Sequence, residues 1–137
     1  MAISQTSVDI RFTYRNFTSL KSWLTGIIGK HKLKVGEIAI VYVSDEFLLS
    51  LNRDFLNHDF YTDVLAFDYS VNNKVNCDIL VSIERVKDNA AKYQIEFYRE
   101  LDRVILHGLL HILGYDDSSA ASLQNMRMIE DTYLKYR

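Results

Sequence analysis

Residues 96–114, EFYRELDRVILHGLLHILG, decide how this chain folds. Wound at about 3.6 residues per turn, the segment gathers Leu101, Ile105, Leu106, Leu109, Ile112 and Leu113 on one side. A stripe of that length predicts a long central helix over 96–113. Gly114 stands where a helix C-terminal glycine belongs, because glycine enters left-handed backbone without a Cβ clash. His107 and His111 project from the side opposite the stripe, four residues apart and so one turn above each other.

Outward from this helix the pattern alternates between strand and helix periods. EIAIVYV, Glu37 to Val43, is the most apolar and β-branched run and predicts a central strand. Val8, Ile10, Phe12 and Tyr14 alternate with Asp9, Arg11 and Thr13, which predicts a half-buried strand over 8–14. Leu20, Trp23, Leu24, Ile27 and Ile28 recur at helical spacing between Phe17 and His31. Ser44 or Asp45 can cap a helix running to about Phe55. Asp63–Ser70 and Lys74–Ile83 read as strands joined across a tight Asn72-Asn73 turn, a hairpin. Residues from Glu84 turn helical, and Ser118 or Ser119 can cap a last helix reaching Lys135. The order βαβαββααα implies an α+β fold: one domain over 1–137, a small mixed β-sheet packed with helices.

Composition agrees with a single domain. The 137 residues contain no proline, and no repeat or low-complexity run divides them. With 48% hydrophobic residues the chain can bury an ordinary core, so a metal ion here would serve function rather than folding. The lone cysteine, Cys77, cannot form an internal disulfide; its place in an alternating strand makes it a small buried hydrophobe in a reducing compartment. No stretch is long enough to span a membrane, and Arg11, Arg15 and Lys21 interrupt any signal-peptide core. A soluble, cytoplasmic protein without a membrane partner is expected. Sixteen basic and eighteen acidic residues give a net charge of −2, which is not the basic balance of most nucleic-acid binders. Any nucleic acid must therefore meet a local basic surface.

Two imidazoles at i and i+4 can grip one ion, at about 2.0–2.1 Å for zinc. Gly114 reverses the chain, and Asp117, six residues after His111, can come back over the same ion as a third ligand. Three protein ligands leave a fourth position open for water, as catalytic zinc sites require. A competing reading buries both histidines as hydrogen-bonded core residues and makes Asp117 a cap of the next helix. His31, among Lys30, Lys32 and Lys34, reads as surface. The spacing H-x-x-x-H-x-x-G-x-x-D copies that of zinc peptidases, but those need a glutamate directly after the first histidine. Gly108 occupies that position and offers no proton acceptor, so a peptidase is disfavoured. Met126 and Met128 read as ordinary core packing rather than as the methionine turn of such enzymes.

Taken together, HGLLHILGYDD resembles the H-G-x-L-H-x-x-G-Y-D-H signature of the YbeY family of metal-dependent endoribonucleases and ribosomal RNA maturation factors. LNRDFLNHDFYTDVLAF, residues 51–67, is similar to the family's L-N-x-x-Y-R-x-K-D-x-x-T-[DN]-V-L-S-F block. CDILVS, residues 77–82, is similar to its G-D-I-x-I-S strand, and Met126 and Glu130 fall where its last helix carries Met and Glu. The resemblance implies that His107 and His111 take the first two metal positions and that Asp117 replaces a third histidine. An aspartate adds negative charge and shifts preference toward harder ions. A second departure is Leu56, where the family has an arginine after the aromatic residue; His58 stands at the next basic position. Loss of that arginine would remove a bidentate phosphate contact, leaving either a weak nuclease or a role moved to another basic residue, for which Arg103 is a geometric candidate.

What the resemblance implies is one zinc ion, or another divalent transition metal, and an RNA substrate rather than DNA. The expected activity is single-strand-specific endoribonucleolytic cleavage in small-subunit ribosomal RNA maturation and ribosome quality control. The general base is not identified. Asp116 and Asp68 are available carboxylates, but turn or cap roles suit both better. The alternative is a non-catalytic ribosome-assembly factor whose metal orders the 114–117 loop.

Overall fold

Along EIAIVYV, Ile38, Ile40 and Tyr42 enter one hydrophobic cluster while Val41 and Val43 enter another, so this strand is covered on both faces. The computed structural model describes residues 2–56 and 61–137. The elements are β1 (Ala2–Ser7), α1 (Phe17–Lys30), β2 (Lys34–Val43), α2 (Asp45–Leu56), β3 (Val64–Asp68), β4 (Lys74–Ser82), α3 (Ile83–Tyr93), α4 (Phe97–Ile112) and α5 (Ala120–Lys135). The four strands lie in the order β1-β2-β4-β3. β1 and β4 both run parallel to β2, and β3 pairs antiparallel with β4, which makes the expected mixed sheet. The α+β architecture follows, with β4 as the second inner strand. Val75, Cys77, Ile79 and Val81 of β4 join the larger cluster, and Leu80 joins the smaller.

The larger core fills the space between the sheet and α1, α3, α4 and α5; the smaller lies under α2. Cys77 is 1% exposed. Burial pushes its thiol up to about 12, with the charges of Asp68 and Asp78 adding to the shift. Met126 is buried as expected, but Met128 faces solvent at 62% exposure, because α5 turns only one face to α4. The hairpin forms across Asn72-Asn73: Val71 bridges to Lys74, and Asn72 takes left-handed backbone at φ 57°.

One strand was expected in the wrong place. The apolar alternation over 8–14 is not β1; the sheet edge is instead the mostly polar ISQTS segment before it, with Ile3 opposite Ile38. The chain turns at Asp9, which has φ 60° and accepts hydrogen bonds from the Ser44 amide (3.0 Å) and hydroxyl (2.6 Å). Beyond that turn Phe12 and Tyr14 pack as an aromatic cluster. Phe12 meets Tyr42 edge-on at 4.8 Å, and Tyr14 meets Tyr98 at 4.9 Å. Apolar alternation thus served tertiary packing, while the edge strand needed only backbone pairing and one buried isoleucine.

Candidate metal centre

α4 is buried on more sides than its apolar stripe implies, because Val104, Gly108 and Leu110 are covered as well as Leu101, Ile105, Leu106 and Leu109. The helix lies directly on the hairpin. A Cβ at Gly108 would stand 2.9 Å from Ile79 Cγ2 and 3.1 Å from Val64 Cγ2. The residue after His107 is therefore glycine for close packing, which is also why no glutamate can stand there. That contact seats His107 half-buried at the sheet edge, while His111, one turn on, is open to solvent.

After Ile112 the chain stops in a Schellman arrangement. Gly114, at φ 103°, donates to the His111 carbonyl at 3.1 Å, and Tyr115 donates to Leu110 at 3.0 Å. Asp116 accepts from the Ser118 amide and hydroxyl, at 3.0 and 2.6 Å, and Ser119 caps α5 in a capping box with Ser122. Asp117 is left free of capping, and its carboxylate turns back over α4. His107 Nε2, His111 Nε2 and Asp117 Oδ2 form a near-equilateral triangle with sides of 3.1, 3.1 and 3.3 Å. The structure thus brings together all three residues singled out as ligands, and Asp117 is not the cap of the competing reading.

The donor chemistry fits a cation. Glu130 of α5, 1% exposed, sets its Oε2 2.5 Å from His107 Nδ1. A carboxylate accepts, so Nδ1 carries the proton and, in the neutral ring, Nε2 turns a lone pair toward Asp117. Two electron-rich atoms 3.1 Å apart repel unless positive charge lies between them. Ligands around a tetrahedral zinc ion are separated by about 3.3–3.4 Å, close to the observed sides. The same carboxylates also attract a proton. Burial works against a charged His107, but the hydrogen bond and charge of Glu130, with Asp117 and Asp63 behind them, win and raise its pKa.

Glu130 is itself held. Its Oε1 accepts from Arg103 Nη1 at 3.4 Å, and Arg103 Nε donates to Glu100 Oε1 at 2.9 Å with a second contact from Nη2 to Glu100 Oε2. Burial opposes the Arg103 charge, but its bonds to Glu100 and the charges of Glu100, Glu130 and Asp63 outweigh that and raise its pKa. Arg103 is therefore committed to two buried carboxylates and does not replace the arginine missing at Leu56. A divalent ion on the triangle would bring Glu100, Arg103, Glu130 and Asp117 together to neutrality. Asp63, just before β3, faces the same group. Burial raises its carboxyl pKa against the pull of His107 and Arg103, and Asn89 donates to it at 3.3 Å.

Other expectations resolve locally. Asp116 accepts from Ser118 in the loop before α5, and Asp68 ends β3, accepting from the Ser70 amide at 2.9 Å where the chain leaves the strand. Leu56 ends α2 exposed, and His58 lies outside the described residues. His31 is not a surface residue. It is half-buried at the end of α1, bonded through both ring nitrogens, because α1 packs beside the loop that follows α4. Sequence reasoning matched Glu130 to a pattern but missed its contact with His107, along with Glu100 and Asp63. Glu100, Arg103 and His107 do share one helical face at i, i+3 and i+7, which was the available signal.

Fold and site define a small α+β protein with a histidine–histidine–aspartate cluster at the end of a helix packed on its sheet. Residues 3–136 match the family model described as Endoribonuclease YbeY. A Cytophaga hutchinsonii protein named endoribonuclease YbeY is 43% identical over 130 residues, covering 94% of this chain and 91% of the relative. The Bacteroides fragilis protein of that name is 33% identical across 100% of this chain and 99% of its own. A solution structure of a Thermotoga maritima protein superposes with a TM-score of 0.65 at 26% identity, covering 98% of this chain and 87% of that one. The chain belongs to the YbeY family of endoribonucleases, and is by that membership an enzyme of the endoribonuclease class.

Proposed function

We propose that this chain is a metal-dependent endoribonuclease that cuts single-stranded RNA, ribosomal RNA of the small subunit in particular, with His107, His111 and Asp117 holding one zinc ion. The observation that carries this reading is the triangle of two imidazole nitrogens and one carboxylate oxygen, with the His107 lone pair aimed into it by Glu130. A bound zinc ion supplies Lewis-acid polarisation of a phosphodiester and activation of water near neutral pH. The chain's own residues do the rest. Glu130 holds the His107 ring in one tautomer and orientation, and Arg103 holds Glu130. His111, at the solvent side, leaves the cluster accessible to a strand of RNA. The maturation role rests on the family's motif blocks. Among the described residues no helix is long and apolar enough to cross a membrane, which suits the cytoplasmic site such a role implies.

A second reading, an assembly factor with a structural ion, draws support from the net charge of −2, from Leu56 and from the engagement of Arg103 by Glu100 and Glu130. Cleavage of an unstructured RNA with and without chelator separates the two. Chelator-sensitive cleavage, together with stoichiometric zinc that is lost in His111→Ala, supports the enzyme. Zinc-loaded protein that leaves RNA intact sinks it.

A further inference from the structure

Asp117 sits in a loop without regular structure between α4 and α5, yet a metal ligand must be held to a fraction of an ångström. The loop's backbone bonds are local: Gly114 and Tyr115 bond back to the last turn of α4, and Ser118 bonds to Asp116. A longer-range tie comes from the other side of the molecule. His31, the residue that ends α1, sets Nδ1 2.9 Å from the Ile27 carbonyl and Nε2 2.9 Å from the Tyr115 hydroxyl. A carbonyl can only accept, so Nδ1 carries the proton, and Nε2 of the neutral ring accepts from Tyr115. The two rings meet edge to face, with centroids 5.7 Å apart at 88°. Tyr115 lies two residues before Asp117 and packs on the main core.

We propose that His31 is a positioning residue for the candidate metal site: through Tyr115 it ties the loop bearing Asp117 to α1. This rests on the metal reading given above, but it makes a separate demand. His31 lies 84 residues from Tyr115 and contacts none of the three ligands, so its loss should leave the histidine pair intact and loosen only the carboxylate. Bonded at both nitrogens, the imidazole has one orientation, and its bond to the hydroxyl holds the tip of the Tyr115 ring in place. Packing alone would leave that hydroxyl free to seek water and the loop free to hinge at Gly114.

The test uses the full chain and zinc alone. Tyr115→Phe keeps the ring and deletes the bond, His31→Leu removes the acceptor, and His31→Gln restores one. Zinc affinity is measured by competition with a chromophoric chelator, and hydrogen exchange is followed at the amides of Tyr115 and Ser118. Tyr115→Phe and His31→Leu should bind zinc about tenfold more weakly, the lower end of what loss of an outer-shell partner costs. His31→Gln should recover much of that loss, and zinc-free melting temperatures should stay close to wild type. A wild type that binds zinc no better than Tyr115→Phe overturns the proposal. Should the wild type bind no zinc, the metal reading fails, and exchange decides the tie. Faster exchange at both amides in Tyr115→Phe upholds it, and unchanged exchange overturns it.

Discussion

Replacing Glu130 by glutamine tests the electrostatic logic of the site. The substitution keeps size and hydrogen-bonding capacity but removes a negative charge that is 1% exposed and 2.5 Å from His107 Nδ1. Three consequences follow from the contacts. His107 loses its strongest reason to carry positive charge, so its pKa should fall back from its raised position. The amide can present its NH2 to Nδ1 as readily as its oxygen, so the tautomer with a lone pair on Nε2 is no longer enforced. Arg103 keeps its two contacts to Glu100, so the fold retains a charge partner for the guanidinium. Loss of such a partner behind a metal-binding histidine costs about 10- to 100-fold in affinity, or roughly 1.4–2.7 kcal/mol. Zinc titration of Glu130→Gln against a competing chelator reads this directly, with urea unfolding of the zinc-free protein as the control for the fold. Wild-type affinity in a folded Glu130→Gln protein would refute the role assigned to this carboxylate.

Two further outcomes follow from packing. Gly108→Ala puts a methyl 2.9 Å from Ile79 Cγ2 and 3.1 Å from Val64 Cγ2, both packed in or against the main core, so α4 must shift off the hairpin. It should cost about 1–3 kcal/mol in urea denaturation; unchanged stability would mean that the helix does not lie this close to the sheet. Cys77, 1% exposed and with its thiol pushed up to about 12, should ignore a disulfide reagent in the native protein at neutral pH and react fully in denaturant. Rapid reaction of the native thiol would contradict its burial.

Much of the site was legible because its first two members are local. His107 and His111 meet wherever the segment is helical, and helical periodicity with a terminal glycine is written within twenty residues. Gly114 carried the prediction that the chain turns, which its φ of 103° bears out. That Asp117 faces the histidines rather than capping α5 was not decidable from spacing, since Ser119 could take the cap only once α5 had found its place. His31 was misread for a related reason: its lysine neighbours describe sequence surroundings, whereas its partner Tyr115 arrives from across the fold.

By itself the sequence determined the α+β order, the helix that carries both the core and the histidine pair, and the glycine stop after it. These rest on short-range periodicity and backbone preference, which act before any tertiary contact forms. The tertiary structure alone decided which N-terminal segment became the edge strand. It also decided that Glu130 aims His107, that Arg103 reaches Glu130, and that a histidine at the end of α1 reaches the loop bearing Asp117. Each of these pairs groups far apart in the chain, and their meeting depends on how α1, α4 and α5 pack against one sheet. No local propensity encodes that packing.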